Sequence, residues 1–233
     1  MLFGLFRFDW TFLIVLPAFI LSLWAQAKVS STFNQYSQLY TRRGMTGASA
    51  ARKILDANGL FNVKIERIRG NLTDHYDPRA NVIRLSDSVH DSRSAAAIGV
   101  AAHEAGHAVQ HAQGYFPIKV RSAAIPMTRI GSMLSIPLFF IGLIMASDYL
   151  MLFGIILYAF VAFFQLVTLP VEFNASARAI SVLRSTHMLD DDELAASKKV
   201  LTAAALTYVA ALLTSLLTLL RLLVLAGGRS NRR

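Results

Sequence analysis

Apolar residues fall into four long runs, and the longest polar stretch lies between the first two. The first run, Trp10 to Ala27, is interrupted by Pro17, Ser22 and Gln26. The others are Ile130 to Ala146, Tyr149 to Leu169 and Val200 to Leu220. A bilayer crossing takes ~17–25 residues, so each run predicts a membrane helix. Only Ser147-Asp148 separates the second run from the third, which predicts a tight hairpin. Tyr115 to Arg129 mixes bases with apolar residues and reads as a segment on the membrane surface. Pro170 opens a separate segment, Val171 to Arg178, that reads as a helix. Thr207, Ala211, Thr214 and Thr218 make a small, weakly polar stripe on the fourth run. It suits packing against other membrane helices, and the part near Tyr208 is alternatively placed to roof a cavity.

The polar stretch, Lys28 to Gly114, carries mixed signals. Ala48, Ala51, Ile54 and Leu55 recur at helical spacing, so Thr46 to Ala57 predicts a helix stopped by Asn58-Gly59. Alternation predicts a strand at Val63 to Ile68 and another at Val82 to Leu85. Gly70-Asn71 and Asp77-Pro78 signal turns, leaving His75 in a loop. Asp91 or Ser92 is placed to cap the next helix, which ends at Gly114. The acidic cluster Asp190 to Glu193 reads as a helix N-terminus, with cation binding as the alternative. Gly227 to Arg233 reads as a disordered basic tail. The expected divisions are an N-terminal span (1–27), an α+β region (28–129), a membrane hairpin (130–169), a helix with the acidic loop (170–199), a last span (200–226) and the tail (227–233).

Composition supports the membrane reading. Of 233 residues, 55% are hydrophobic and 16% charged, against ~25% charged in soluble domains. Mean hydropathy is +0.47. The net charge of +9 suits anionic lipid heads and topology setting. No basic run interleaves with aromatics, so nucleic acid is not an expected partner. The absence of cysteine excludes disulfides and thiolate metal ligands. Ala25-Gln26-Ala27 has the form of a signal cleavage site. However, Asp9 offsets Arg7 and leaves a poor basic leader, so a retained span is the expectation.

The chemistry lies in His103-Glu104-Ala105-Gly106-His107. Histidines four apart share one helix face, with Cβ atoms ~5–6 Å apart. Two imidazoles so placed can converge on one zinc ion, and Glu104 beside them can take a proton from a zinc-bound water. Between Ile98 and Val109 the only carboxylate is Glu104 and no proline interrupts, as a buried active-site helix requires. His111 continues the i+4 row, but it stands ~12 Å along the axis from His103 at ~1.5 Å per residue, too far to share the ion. Asn81 to Ser86 is either an edge that holds substrate backbone by strand addition or an ordinary sheet strand. His75 could reach the site from its loop, but it, His90 and His187 read as solvated.

Five stretches together carry a family resemblance: Arg43 to Gly47, Leu72 to Pro78, the His103–His107 helix, Leu169 to Ser176, and Ala203 to Ala210. In them the chain resembles the neutral zinc metallopeptidases of the YugP type, a bacterial membrane family. More loosely it is similar to HtpX-type heat-shock proteases and CAAX prenyl proteases. That wider likeness implies that His103, His107 and Glu172 hold one catalytic zinc ion and that Glu104 is the base, a gluzincin-like set. In the wider group an aspartate usually follows the ligand glutamate by four residues. Here the position is Ser176, so the bond that orients a ligand must be made differently.

The fold expected is a mainly α membrane protein of four transmembrane helices with a small α+β zincin-like catalytic unit. The expected function is an integral membrane zinc endopeptidase that acts on membrane or hydrophobic proteins. Its expected partners are lipid, a peptide or membrane-protein substrate, and other membrane proteins. The alternatives are a non-catalytic, zinc-stabilised scaffold or adaptor, and hydrolysis of a non-peptide amide or lipid. Lys28, Arg42, Arg43, Arg121, Arg129, Lys198 and Lys199 flank the spans on the catalytic side. Arg7, Arg229, Arg232, Arg233 and Asp148 lie on the other. The positive-inside rule then predicts a multi-pass cell-membrane protein with a cytoplasmic site and both termini outside.

Overall fold

The computed structural model describes residues 10–230. The elements are α1 (Phe12–Tyr36), α2 (Gly47–Ala57), β1 (Lys64–Ile68), β2 (His75–Asp77), β3 (Val82–Ser86), α3 (Ala95–Ala112), α4 (Phe116–Ile144), α5 (Asp148–Ser185) and α6 (Asp191–Ser230). Helices α1, α4, α5 and α6 are each long and apolar enough to cross a membrane. The chain is thus a mainly α membrane protein with a small sheet.

Several helices outrun the expected spans. Tyr115 to Arg129 is no separate surface segment, because Phe116 onward is the first half of α4. Pro170 does not end a helix either, and α5 runs through it from Asp148 to Ser185. A proline costs one intrahelical bond, and α5 is nonetheless continuous from Asp148 to Ser185. At 38 residues and ~1.5 Å per residue, α5 exceeds the ~30 Å hydrocarbon core. Its end carrying Glu172 therefore extends past an apolar span. Helix α6 continues to Ser230, so Gly227 to Ser230 are helical, not a disordered tail. Positions 231–233, like Arg7 and Asp9, lie outside the described residues.

The described residues divide into two compact units. One gathers 10–24, 121–167 and 208–230. In it, α4 and α5 touch through glycines. A Cβ on Gly154 would stand 2.8 Å from the Ser135 carbonyl oxygen, and one on Gly131 would stand 2.7 Å from that of Leu157. Such close backbone approach is how membrane helices gain packing without a hydrophobic drive. Between α1 and α6, Ser22 and Thr214 share a hydrogen bond of 3.2 Å. Arg221 Nε donates to Thr11 Oγ1 at 3.0 Å, with its guanidinium 3.8 Å from the Phe12 ring centre.

The other unit gathers 25–120 and 168–207, and its core is built around α3. Most α3 side chains are buried and half of those are alanine, which lets neighbouring helices come close. Ile54 and Leu55 of α2, Ile83 and Leu85 of β3, Leu183 of α5 and Leu201 of α6 pack on it. Ser94 caps α3 by accepting from the Ala97 amide at 3.2 Å. Asp91 and Ser92 do not cap it; Ser92 instead bonds the Ser94 hydroxyl. At the other end Gly114 takes a left-handed φ of 63°, as a helix stop does.

The sheet order is β1-β3-β2, with β3 parallel to β1 and antiparallel to β2. Two expectations change. His75 lies in strand β2, not a loop. Strand β3 is central, so Val82 to Arg84 are paired on both sides. Beyond them the Ser86 amide donates to Asp74 Oδ1 at 2.7 Å. Asn81 to Ser86 therefore has no open edge for a substrate strand.

Where α3 meets α5, a Cβ on Gly106 would lie 2.9 Å from the Ala175 carbonyl oxygen. Both partners are backbone and neither can swing aside. Gly106→Ala is expected to destabilise the protein by about 1–3 kcal/mol, read as a lower thermal midpoint in detergent. A midpoint equal to the parent's would mean that α3 and α5 separate easily.

Candidate metal centre

His103 and His107 sit one turn apart on α3, with ring centroids 4.7 Å apart at an interplanar angle of 84°. Glu172 reaches them from α5. Its Oε2 lies 3.2 Å from His103 Nε2 and 3.4 Å from His107 Nε2. The three ligand atoms all fall within 4.8 Å of one another. Ligands at ~2.0–2.1 Å on a tetrahedron stand ~3.3–3.4 Å apart, so these separations fit one small cation. Two imidazole nitrogens and a carboxylate oxygen, with no thiolate, form a set that zinc accepts. His111 is outside the group; its ring packs on Tyr76 at 5.5 Å.

The far ring nitrogens are held by neutral groups. Gln110 is fully buried, and its Nε2 donates to the Val171 carbonyl and to Asn174 Oδ1, each at 2.9 Å. That fixes its Oε1 as the acceptor facing His107 Nδ1 at 3.0 Å. His107 Nδ1 must then carry the proton, which leaves the Nε2 lone pair toward Glu172. Arg178 Nε donates to the same Asn174 oxygen at 2.7 Å and Arg178 Nη1 to Gln113 at 2.6 Å, which steadies the chain of amides. At the other histidine, Ser176 Oγ lies 3.1 Å from His103 Nδ1. Ser176, four residues after Glu172, thus makes the bond to His103 from α5 itself.

Glu104 and Glu172 are 8% and 2% exposed. Among the described residues Glu104 bonds no protein group, and its oxygens are not sealed from solvent. Burial disfavours charge on His107, yet Glu172 and Glu104 outweigh it and raise its proton affinity. A field that holds a proton there also holds a metal cation.

Asp74 is a neighbour that the spacing of residues did not single out. Its carboxylate takes the Ser86 amide at 2.7 Å and the Ser86 hydroxyl at 2.9 Å. Burial raises its pKa, and the charge of Glu104 adds to the rise, against the bonds from Ser86. The signal was its place within Leu72 to Pro78, with nothing local to give it a role. A raised native pKa means that the unfolded chain ionises first, so stability falls as pH climbs above the ordinary value of 3.8. Asp74→Asn keeps an acceptor and removes that loss. Its thermal midpoint relative to the parent is expected to improve from about pH 4 to about pH 7. A difference that stays flat with pH would show that Asp74 does not titrate there.

Residues 11–227 match a family described as "putative neutral zinc metallopeptidase". A relative from Bacillus subtilis (strain 168), named "putative membrane protease YugP", is 48% identical over 180 residues. The match covers 77% of this chain and 80% of that protein. No solved structure matches the chain. The chain, with its four apolar helices and the cluster of His103, His107 and Glu172, belongs to this family of neutral zinc metallopeptidases.

Proposed function

We propose that the protein is an integral membrane zinc endopeptidase that hydrolyses peptide bonds of membrane or hydrophobic protein substrates. The observation that carries this reading is the convergence of His103 Nε2, His107 Nε2 and Glu172 Oε2 beside an unpaired Glu104. One zinc ion held by these three residues would supply Lewis-acid polarisation of the scissile carbonyl and of water. Three protein ligands leave one position open, as catalytic sites do. Gln110 and Ser176 hold the imidazoles in orientation. Glu104 accepts a proton from the attacking water and delivers it to the departing amine nitrogen. A scaffold role has no use for Glu104, and structural zinc sites normally fill four protein positions.

Glu104→Gln is expected to keep zinc and lose about 10²–10⁴-fold in peptide hydrolysis, the usual worth of a general base. Glu172→Ala is expected to lose most bound zinc and activity, and His111→Ala to keep both. Metal analysis and turnover of a casein-like substrate by the purified variants are the measurements. A zinc-replete Glu172→Ala protein removes Glu172 from the ligand set, and native-rate cleavage by Glu104→Gln removes the base.

The distribution of bases supports a catalytic side facing the cytoplasm. Asn71 is exposed in the unit that carries the cluster. In intact cells Asn71→Cys is expected to resist an impermeant thiol reagent, while Ser230→Cys reacts. Labelling of Asn71→Cys from outside would reverse the orientation.

A further inference from the structure

A groove of about 550 Å³ opens between the polar part of α1 and the start of α6. Lys28, Lys198 and Lys199 line it together with Thr32, Tyr36 and Leu206. No carboxylate is among its lining residues. All three lysines are exposed, and among the described residues none forms an ion pair with an acid. Three acids near the start of α6 are engaged elsewhere. Arg42 pairs with Asp190 and Asp192, and Glu193 accepts the Arg42 and Asp190 amides. Lys199 lies 5.5 Å from the Tyr36 ring centre, over an apolar wall. A second groove of about 420 Å³ adjoins the first, sharing Lys198 and Thr202 and adding Arg184 and Leu201.

We infer that this groove binds an anionic phospholipid, with its phosphate on Lys28, Lys198 and Lys199 and its acyl chain running toward Leu206. Three features select that occupant. The cations are compact and borne on long flexible stems, which suits a mobile phosphate more than a planar carboxylate. They stand where two membrane-length helices pass from polar to apolar sequence, the depth of a headgroup. The walls are α-helical and their backbone groups are already bonded, so they offer no strand edge to a peptide. The inference is independent of the protease reading, since Lys28, Lys198 and Lys199 touch none of the proposed zinc ligands.

The test uses the full chain in detergent, titrated by native mass spectrometry with phosphatidylglycerol or phosphatidylcholine of the same acyl chains. The parent is expected to prefer phosphatidylglycerol. Each lysine replaced by glutamine should weaken that lipid about fivefold, the ~1 kcal/mol per basic residue of an anionic surface. K28Q/K198Q/K199Q should lose the preference, K28R/K198R/K199R should retain it, and K53Q/K64Q should match the parent. Equal binding of the two lipids by the parent overturns the proposal, as does an unchanged preference in the triple glutamine variant. Displacement of the lipid by an equal concentration of inorganic phosphate also overturns it, because the site would then read a free anion. Should the glutamine variant fail to fold, the parent's lipid preference and the arginine variant still decide the question.

Discussion

The unit built around α3 depends on how Glu172 is accommodated. A carboxylate that is 2% exposed must meet partners or be driven neutral. Its partners are the two imidazoles of α3, 3.2 and 3.4 Å away. Everything nearby serves to bring α5 within that distance of α3. The Gly106 backbone against the Ala175 carbonyl sets the spacing. Gln110 bridges to the Val171 carbonyl one residue before the carboxylate. Alanines along α3 keep the other neighbours close. The packing and the chemistry are thus one constraint, because a bulkier α3 would push the glutamate out of reach.

Much of this was legible in the sequence, and the division follows the range of each interaction. The His103 and His107 pair is local, so the four-residue spacing alone set its geometry. The four apolar runs were legible because length and composition suffice to mark a membrane helix. Glu172 needed the family resemblance, since nothing in a lone carboxylate after Pro170 announces two histidines about seventy residues away. Gln110 and Ser176 were harder, because their roles rest on which nitrogen faces which helix. The short strand His75–Asp77 was hidden by its three polar-leaning residues and the turn signals around it. Strand order escaped as well. Alternation in Val82 to Leu85 says that a strand exists, but pairing on both sides of it depends on residues far along the chain. Helix ends failed in the opposite sense, since α5 persists through Pro170 and α6 through Gly227 and Gly228, where local rules predicted breaks.

The two helices that meet α3 do so differently. Helix α5 brings polar side chains, and it leaves the apolar stretch only a few residues before Glu172. Helix α6 brings small ones; a Cβ on Gly99 would stand 3.0 Å from that of Ser197, whose hydroxyl donates to the Ala95 carbonyl at 2.6 Å. One helix therefore supplies chemistry to α3 and the other supplies fit. Sequence changes on α6 opposite Gly99 should act through stability, and changes on α5 around Glu172 through the site.

The neutral groups behind the two histidines set a charge balance. A carboxylate at position 176 would add an anion to Glu104 and Glu172, which are themselves buried. With a hydroxyl there and a carboxamide at Gln110, the two glutamates alone match a divalent cation in formal charge. A centre of zero net charge carries the smallest self-energy penalty in a low-dielectric surrounding. It also casts the weakest long-range field, so such a centre neither attracts nor repels a molecule until it reaches contact distance.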